Sequence, residues 1–78
     1  SKTEFVGVEV KNTRSPREAD LKSLVRFRED YPEAAALLLH RGTERTRERG
    51  IWCVPVDDFL RRLHPARSLV SAARIPAE

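Results

Sequence analysis

Glu9 and Lys11 are the two residues whose types and spacing suggest chemistry, since they flank a single valine in the segment Phe-Val-Gly-Val-Glu-Val-Lys at positions 5–11. Alternating β-branched residues predict a strand there. Side chains two positions apart then share a face, with Cα atoms about 6.5–7 Å apart. A carboxylate can bind a divalent cation and an ammonium can pair with a phosphate. An exposed strand face with a simple ion pair has the same pattern, and the tripeptide alone favours that second interpretation.

The other residues of this strand are assigned by the same alternation. Val6, Val8 and Val10 are predicted to face away from the pair, with Val10 packed into the core. Gly7 shares the face of Glu9, and its lack of a side chain is expected to leave room for a substrate.

A helix is predicted over residues 16–30, after the polar connection that follows the strand. Ser15 is the expected N-cap, Pro16 suits the first helical position, and Glu18 could complete a capping box. An apolar stripe marks the buried face of the helix: Leu21, Leu24 and Val25, with Phe27 and Tyr31 near its edge. The apolar run 35–40 between Pro32 and Gly42 then predicts a buried strand. The first two strands should therefore pair in parallel as a right-handed βαβ unit.

The remaining third of the chain completes an α/β fold with a three-stranded mixed sheet and two main helices. Residues 41–50 are predicted to be a polar connection, and 51–54 a third strand that forms a hairpin against the second. Asp57 is expected to cap a final helix over 57–64. Residues 1–65 then form one α/β domain, followed by a loosely packed or disordered tail over 66–78.

Charge suggests an affinity for phosphate. The 78 residues carry a net charge of +3, and 12 of the 15 cationic residues are arginine. The preference for arginine over lysine that a GC-rich genome produces explains the same bias, and a net charge of +3 alone is weak support for nucleic-acid binding. Residues that could contact a phosphate backbone lie in the 41–50 connection and on the first helix: Arg41, Arg45, Arg47, Arg49, Lys22 and Arg26. Local ion pairs with the intervening glutamates are the alternative for the connection, and an ordinary solvated helix face is the alternative for Lys22 and Arg26.

Cysteine and hydropathy indicate a cytoplasmic, reduced protein. Cys53 has no second cysteine to pair with and lies in an apolar run, as expected of a buried free thiol. Neither a signal peptide nor an apolar stretch of about 20 residues is present. The chain contains no methionine and starts at Ser1, which is expected of a segment of a longer protein or of a processed chain.

The order of these segments resembles a known family. Residues 8–11, Val-Glu-Val-Lys, resemble the second half of the PD-(D/E)xK nuclease motif. Residues 20–27 are similar to a helix of the form Asp-Leu-x-x-Leu-x-x-Phe, and Tyr-Pro at 31–32, Leu-Leu-Leu at 37–39 and Arg-Gly at 41–42 follow in the same order. Together they resemble the carboxyl-terminal nuclease-like domain of unknown function attached to many prokaryotic AAA-type P-loop ATPases.

The resemblance, which covers roughly residues 4–64, implies a partial restriction-endonuclease-like fold. It implies that Glu9 is a Mg²⁺ ligand and catalytic residue and that Lys11 is a catalytic residue beside the metal-bound water. The family motif also needs an aspartate on a preceding strand, and none of the eight residues before Glu9 is aspartate. This chain is therefore expected not to cleave nucleic acid alone.

The partners implied by the resemblance are DNA and the ATPase core of the same parent protein. No P-loop motif is present, so ATP chemistry is expected to lie outside these residues. A non-catalytic accessory domain that acts through protein contacts is the alternative function. The sheet edge that a missing hairpin would expose also suggests self-association.

Overall fold

The structure is a computed structural model that describes residues 5–63, and the tail predicted over 66–78 lies outside them. Two helices and a four-stranded mixed sheet form an α/β fold, with the strands in the order β1-β2-β4-β3. The elements in chain order are β1 (Val6–Val10), α1 (Glu18–Asp30), β2 (Ala35–His40), β3 (Thr46–Glu48), β4 (Ile51–Pro55) and α2 (Val56–Arg62). Across this described part of the chain, no helix is long and apolar enough to cross a membrane.

The first half of the fold is the predicted parallel β1-α1-β2 unit. β1 and β2 pair in parallel with Val8 opposite Leu37. β2 is buried along almost its whole length because α1 covers one face of the sheet and α2 the other. This explains why its sequence is continuously apolar rather than alternating.

The predicted hairpin between the second and third predicted strands is wrong. β4 pairs with β2 in parallel, with Leu38 opposite Cys53, and the polar connection contains an additional strand, β3, that pairs antiparallel with β4. Arg49 and Gly50 join β3 to β4 with φ angles of 52° and 81°. Two consecutive residues with positive φ are typical of the two-residue turn that matches the twist of a hairpin. The sheet therefore has four strands rather than three.

The core is divided by the sheet into two clusters. Under α1 lie Leu21, Leu24, Ala36, Leu38, Ile51 and Cys53. On the other face, Leu37, Leu39, Val54 and Phe59 pack together, with Val6, Trp52 and Val56 against them. The seven-residue α2 covers β2 and β4, and β1 extends beyond it.

Val10 was predicted to pack into the core, but it is exposed. It is 66% exposed and its neighbour on the same face, Val8, is 46% exposed. The alternation of side chains along β1 was predicted correctly, but the short α2 leaves this end of the face uncovered.

Both helix starts differ from prediction. The N-cap of α1 is Arg17 rather than Ser15, and the Arg17 backbone N–H donates to Asp20 Oδ2 at 2.9 Å. Asp20 thus has the role predicted for Glu18, one turn into the helix. α2 begins at Val56, directly after Pro55, so Asp57 lies in its first turn instead of capping it.

Candidate functional site

Glu9 and Lys11 share one face of β1, as predicted. Lys11 Nζ lies 3.7 Å from Glu9 Oε2, and the two side chains are 36% and 32% exposed, respectively. Lys11 directly follows β1, and its backbone N–H continues the ladder by donating to Leu39 O at 2.9 Å. The pair therefore has a fixed backbone and partly solvated side chains, and an exposed ion pair of this kind contributes little to stability.

Ser23 of α1 is the third member of this site. Its Oγ–H donates to Glu9 Oε1 at 2.6 Å, a short distance that is usual for a hydroxyl on a carboxylate. One carboxylate oxygen is thereby held by the helix, and the other is directed toward Lys11. Lys22 and Arg26 were the residues of this helix predicted to lie near the site, and Ser23 was not among them.

The contact between α1 and β1 follows a simple repeat. Four helical residues rise about 6 Å and two strand residues rise about 6.6 Å. Every fourth side chain of α1 can therefore contact every second residue of β1. The matched pairs, from the carboxyl to the amino end of β1, are Ser23 with Glu9, Phe27 with Gly7, and Tyr31 with Phe5. The available sequence signal was the spacing Ser-x-x-x-Phe-x-x-x-Tyr after a strand that presents Gly7 and Glu9 on one face.

Gly7 does not leave room for a substrate. A Cβ atom placed on Gly7 would lie 2.7 Å from Phe27 Cε2, so the aromatic ring fills that space. Phe27 in turn packs against Phe5 and Tyr31, with ring centroids 5.6 and 5.3 Å away. The amino-terminal side of Glu9 is thus closed by aromatic rings.

The outer edge of β1 is open. Ala35 N–H donates to Phe5 O and Lys11 N–H donates to Leu39 O, so the odd-numbered residues direct their backbone groups toward β2. The N–H and C=O groups of Val6, Val8 and Val10 then point away from the sheet. Within residues 5–63, no strand pairs with this edge.

The four arginines of the predicted phosphate-binding set do not converge. Each has a protein contact of its own: Arg41 with Asn12 Oδ1 at 3.0 Å, Arg45 with Asp58, Arg47 over the Trp52 ring at 4.8 Å, and Arg49 with Glu18 at 3.1 Å. Arg47 lies on the sheet face opposite Glu9, because Trp52 packs into the second core cluster. Lys22 and Arg26 are exposed on α1.

Arg41 is the member of that set placed near the Glu9–Lys11 pair. It follows β2 directly, its N–H donates to Thr13 O at 2.8 Å, and its guanidinium bonds the residue after Lys11. Lys11 and Arg41 therefore follow the carboxyl ends of two neighbouring parallel strands. In open α/β sheets, ligands bind outside the carboxyl ends of the strands.

Asp58 forms a separate cluster that the sequence did not indicate. Arg45 and Arg62 both donate to its carboxylate, and Arg61 lies 3.7 Å away. Burial alone would raise the pKa of Asp58, but the hydrogen bond from Arg62 and the charges of Arg45 and Arg62 outweigh burial and lower it. The cluster joins α2 to the loop before β3.

Metal-ligating residues are sparse. Over residues 5–63, no group of three or more His, Cys, Asp or Glu side chains could hold a metal ion. Glu9 is the carboxylate of the site, and Cys53 is a buried free thiol whose pKa is raised by burial. A buried thiol of raised pKa is a poor nucleophile, so Cys53 is structural.

Comparison with protein-family models, with curated proteins and with solved structures finds no match to this chain.

Proposed function

We propose that residues 5–63 belong to a nuclease-like module of the PD-(D/E)xK type, of which this chain supplies the second half of the motif. The observation that carries this proposal is the position of Glu9 and Lys11. They lie together at the carboxyl end of an edge strand whose outer backbone groups are open. In the motif, an aspartate-bearing strand lies next to the Glu-x-Lys strand, and the open edge of β1 provides a place for one.

The ligand in this proposal is DNA, bound at the carboxyl ends of β1 and β2. Lys11 and Arg41 supply two cations there, and Lys11 remains one third exposed despite its contact with Glu9. A phosphate would interact with the Lys11 ammonium as a point charge and with the planar guanidinium of Arg41 through paired N–H groups. These contacts carry no base specificity, so binding is expected to be independent of sequence.

Mg²⁺ fits this site only in part. Glu9 offers one carboxylate oxygen besides the one bonded to Ser23, and Mg²⁺ takes six oxygen ligands, several of them water. Protein carboxylates beyond Glu9 are needed to hold the ion firmly, and the described residues do not provide them. Glu9 would therefore bind Mg²⁺ weakly, aided by a DNA phosphate, and no cleavage step is assigned to this chain. The proposed parent protein is an AAA-type ATPase whose nucleotide chemistry lies in another domain.

Fluorescence anisotropy with a short labelled DNA duplex at low salt tests DNA binding. Lys11→Ala and Arg41→Ala are each expected to weaken binding and to reduce the dependence of log K on log salt by about one unit. Arg47→Ala is the matched control, because it removes an equal charge from the opposite face and should have a smaller effect. Equal losses in all three variants would show that only net charge matters and would contradict the proposed site.

A protein-docking role is the second candidate. The specific observation in its favour is the combination of two exposed valines, Val8 and Val10, with an open sheet edge. If the wild-type chain does not bind DNA even at low salt, the DNA proposal fails and the docking role is the better account.

A further inference from the structure

We infer that the outer edge of β1 pairs with β1 of a second copy of this chain, antiparallel, about a two-fold axis at Val10. The argument begins with the backbone. The N–H and C=O groups of Val6, Val8 and Val10 point outward and have no strand partner in residues 5–63. A row of unpaired groups on an edge strand is a template for another strand.

Side-chain exposure favours the same edge. Val8 and Val10 are 46% and 66% exposed on the α2 side of β1, where the helix does not reach. With two such strands paired about Val10, the two Val10 side chains face each other, and Val8 of each copy lies opposite Asn12 and diagonal to Val10 of the other copy. The apolar strip exposed in the single chain would then become a continuous patch shared by two copies.

Charge selects the register. With Val10 opposite Val10, Glu9 of each copy lies opposite Lys11 of the other, so two ion pairs form. Because odd residues direct their backbone groups toward β2, Glu9 and Lys11 occupy non-hydrogen-bonded positions, where facing side chains are closest. Pairing centred on Glu9 would place two carboxylates opposite each other, and pairing centred on Val8 would place Glu9 opposite Gly7 with no charge partner. The Val10 register is the complementary one.

The other edge of the sheet, which β3 forms, is not expected to pair with a second copy. β3 has only three residues, Thr46–Glu48, and two of them are charged. Short, charged edge strands resist pairing. Association through β1 alone is isologous and closes at a dimer rather than extending into a fibre. The inference does not depend on DNA binding. The aspartate-bearing strand of the proposed function and a second copy would compete for the same edge of β1, so a chain in which that strand occupies the edge would not dimerise in this way.

A charge-swap experiment by analytical ultracentrifugation tests both the dimer and its register. The wild-type chain should dimerise with rising concentration, and Glu9→Lys or Lys11→Glu alone should raise the dimer dissociation constant about tenfold or more. Mixing the two variants should restore association, because the mixed pair again places unlike charges opposite each other. Val10→Lys, at an exposed position where folding should be unaffected, should give a monomer. Circular dichroism of each variant checks the fold.

Two results would overturn the inference. One is a wild-type chain that stays monomeric at hundreds of micromolar. The other is a dimer that Val10→Lys leaves intact, or one for which the mixed charge variants associate no better than each variant alone.

Discussion

Ser23 on α1 donates a 2.6 Å hydrogen bond to Glu9 on β1, and this contact joins residues 14 positions apart in the sequence. The bond fixes one carboxylate oxygen and leaves the other beside the Lys11 ammonium, 3.7 Å away. α1 therefore orients the acidic residue of the candidate site as well as covering the core. The helix performs both roles because its four-residue repeat matches the two-residue repeat of the strand.

The Ser23–Glu9 bond should contribute measurable stability. A hydrogen bond to a charged acceptor at a partly exposed site is expected to contribute about 1 kcal/mol. Ser23→Ala alone mixes this loss with the better helix preference of alanine, so a double-mutant cycle with Glu9→Ala, which removes the acceptor, in urea denaturation is the appropriate measurement. Lys22→Ala, on the neighbouring exposed position, should show no coupling to Glu9→Ala. A Ser23–Glu9 coupling near zero would contradict the orienting role.

Gly7 should tolerate no larger side chain. Gly7→Ala introduces a Cβ atom 2.7 Å from Phe27, and such overpacking is expected to lower the free energy of unfolding by about 1–3 kcal/mol. Phe27→Leu removes ring atoms from the same space, so the double variant should lose less stability than the sum of the two single changes. Purely additive losses in denaturant titrations would show that the ring does not fill the space above Gly7.

Substitutions at the two residues of the β3–β4 turn should change the free energy of unfolding in opposite directions. Gly50 has a φ of 81°, and Gly50→Ala should lower the free energy of unfolding by about 1–2 kcal/mol. Arg49 has a φ of 52°, which asparagine adopts more readily, so Arg49→Asn should raise stability by about 0.5 kcal/mol. Its ion pair with Glu18 is half-exposed or more on both sides and should contribute little. Destabilisation by Arg49→Asn in thermal unfolding would show that the ion pair outweighs the backbone strain.

Asp58 should make stability depend on acid pH. Its pKa is lowered in the folded state, so its contribution is complete above the unfolded-state pKa of about 3.9 and is lost as pH falls through the folded-state pKa. Asp58→Asn should cost about 1–2 kcal/mol at neutral pH, and the difference from wild type should shrink below about pH 4. Asp57→Asn, an exposed neighbour in the same helical turn, is the control. A constant difference between wild type and Asp58→Asn down to pH 2 would contradict this assignment.

Local sequence patterns predicted the elements that depend on one segment alone. The alternation in residues 5–11 predicted the shared face of Glu9 and Lys11, and the apolar run 35–40 predicted a buried central strand. The predicted helix over 16–30 matched α1 except at its start, where Asp20 completes the cap instead of Glu18. Such features follow from the period and the termini of one element.

Features that depend on contact between two separate segments of the chain were either not predicted or predicted wrongly. β3 was hidden because Thr46–Glu48 is short and polar, and because Arg49-Gly50 is not one of the Asn-Gly or Asp-Gly pairs that signal a two-residue hairpin. Val10 was assigned to the core because alternation identifies a face but not the length of the helix that covers it. Ser23 and Phe27 were not connected with β1, because a sequence read one element at a time does not show which helix positions lie over which strand positions.

The central claim is that Glu9 and Lys11 form a site for a metal-associated phosphate, and NMR titration tests it most directly. Amide spectra of the ¹⁵N-labelled chain would be recorded with increasing Mg²⁺ in the presence of a short DNA duplex, for wild type and for Glu9→Gln. We expect the largest Mg²⁺-dependent shifts at Glu9, Lys11 and Ser23, and their loss in Glu9→Gln. Shifts centred on Asp57 and Asp58, or no shifts at any residue with DNA present, would contradict the claim.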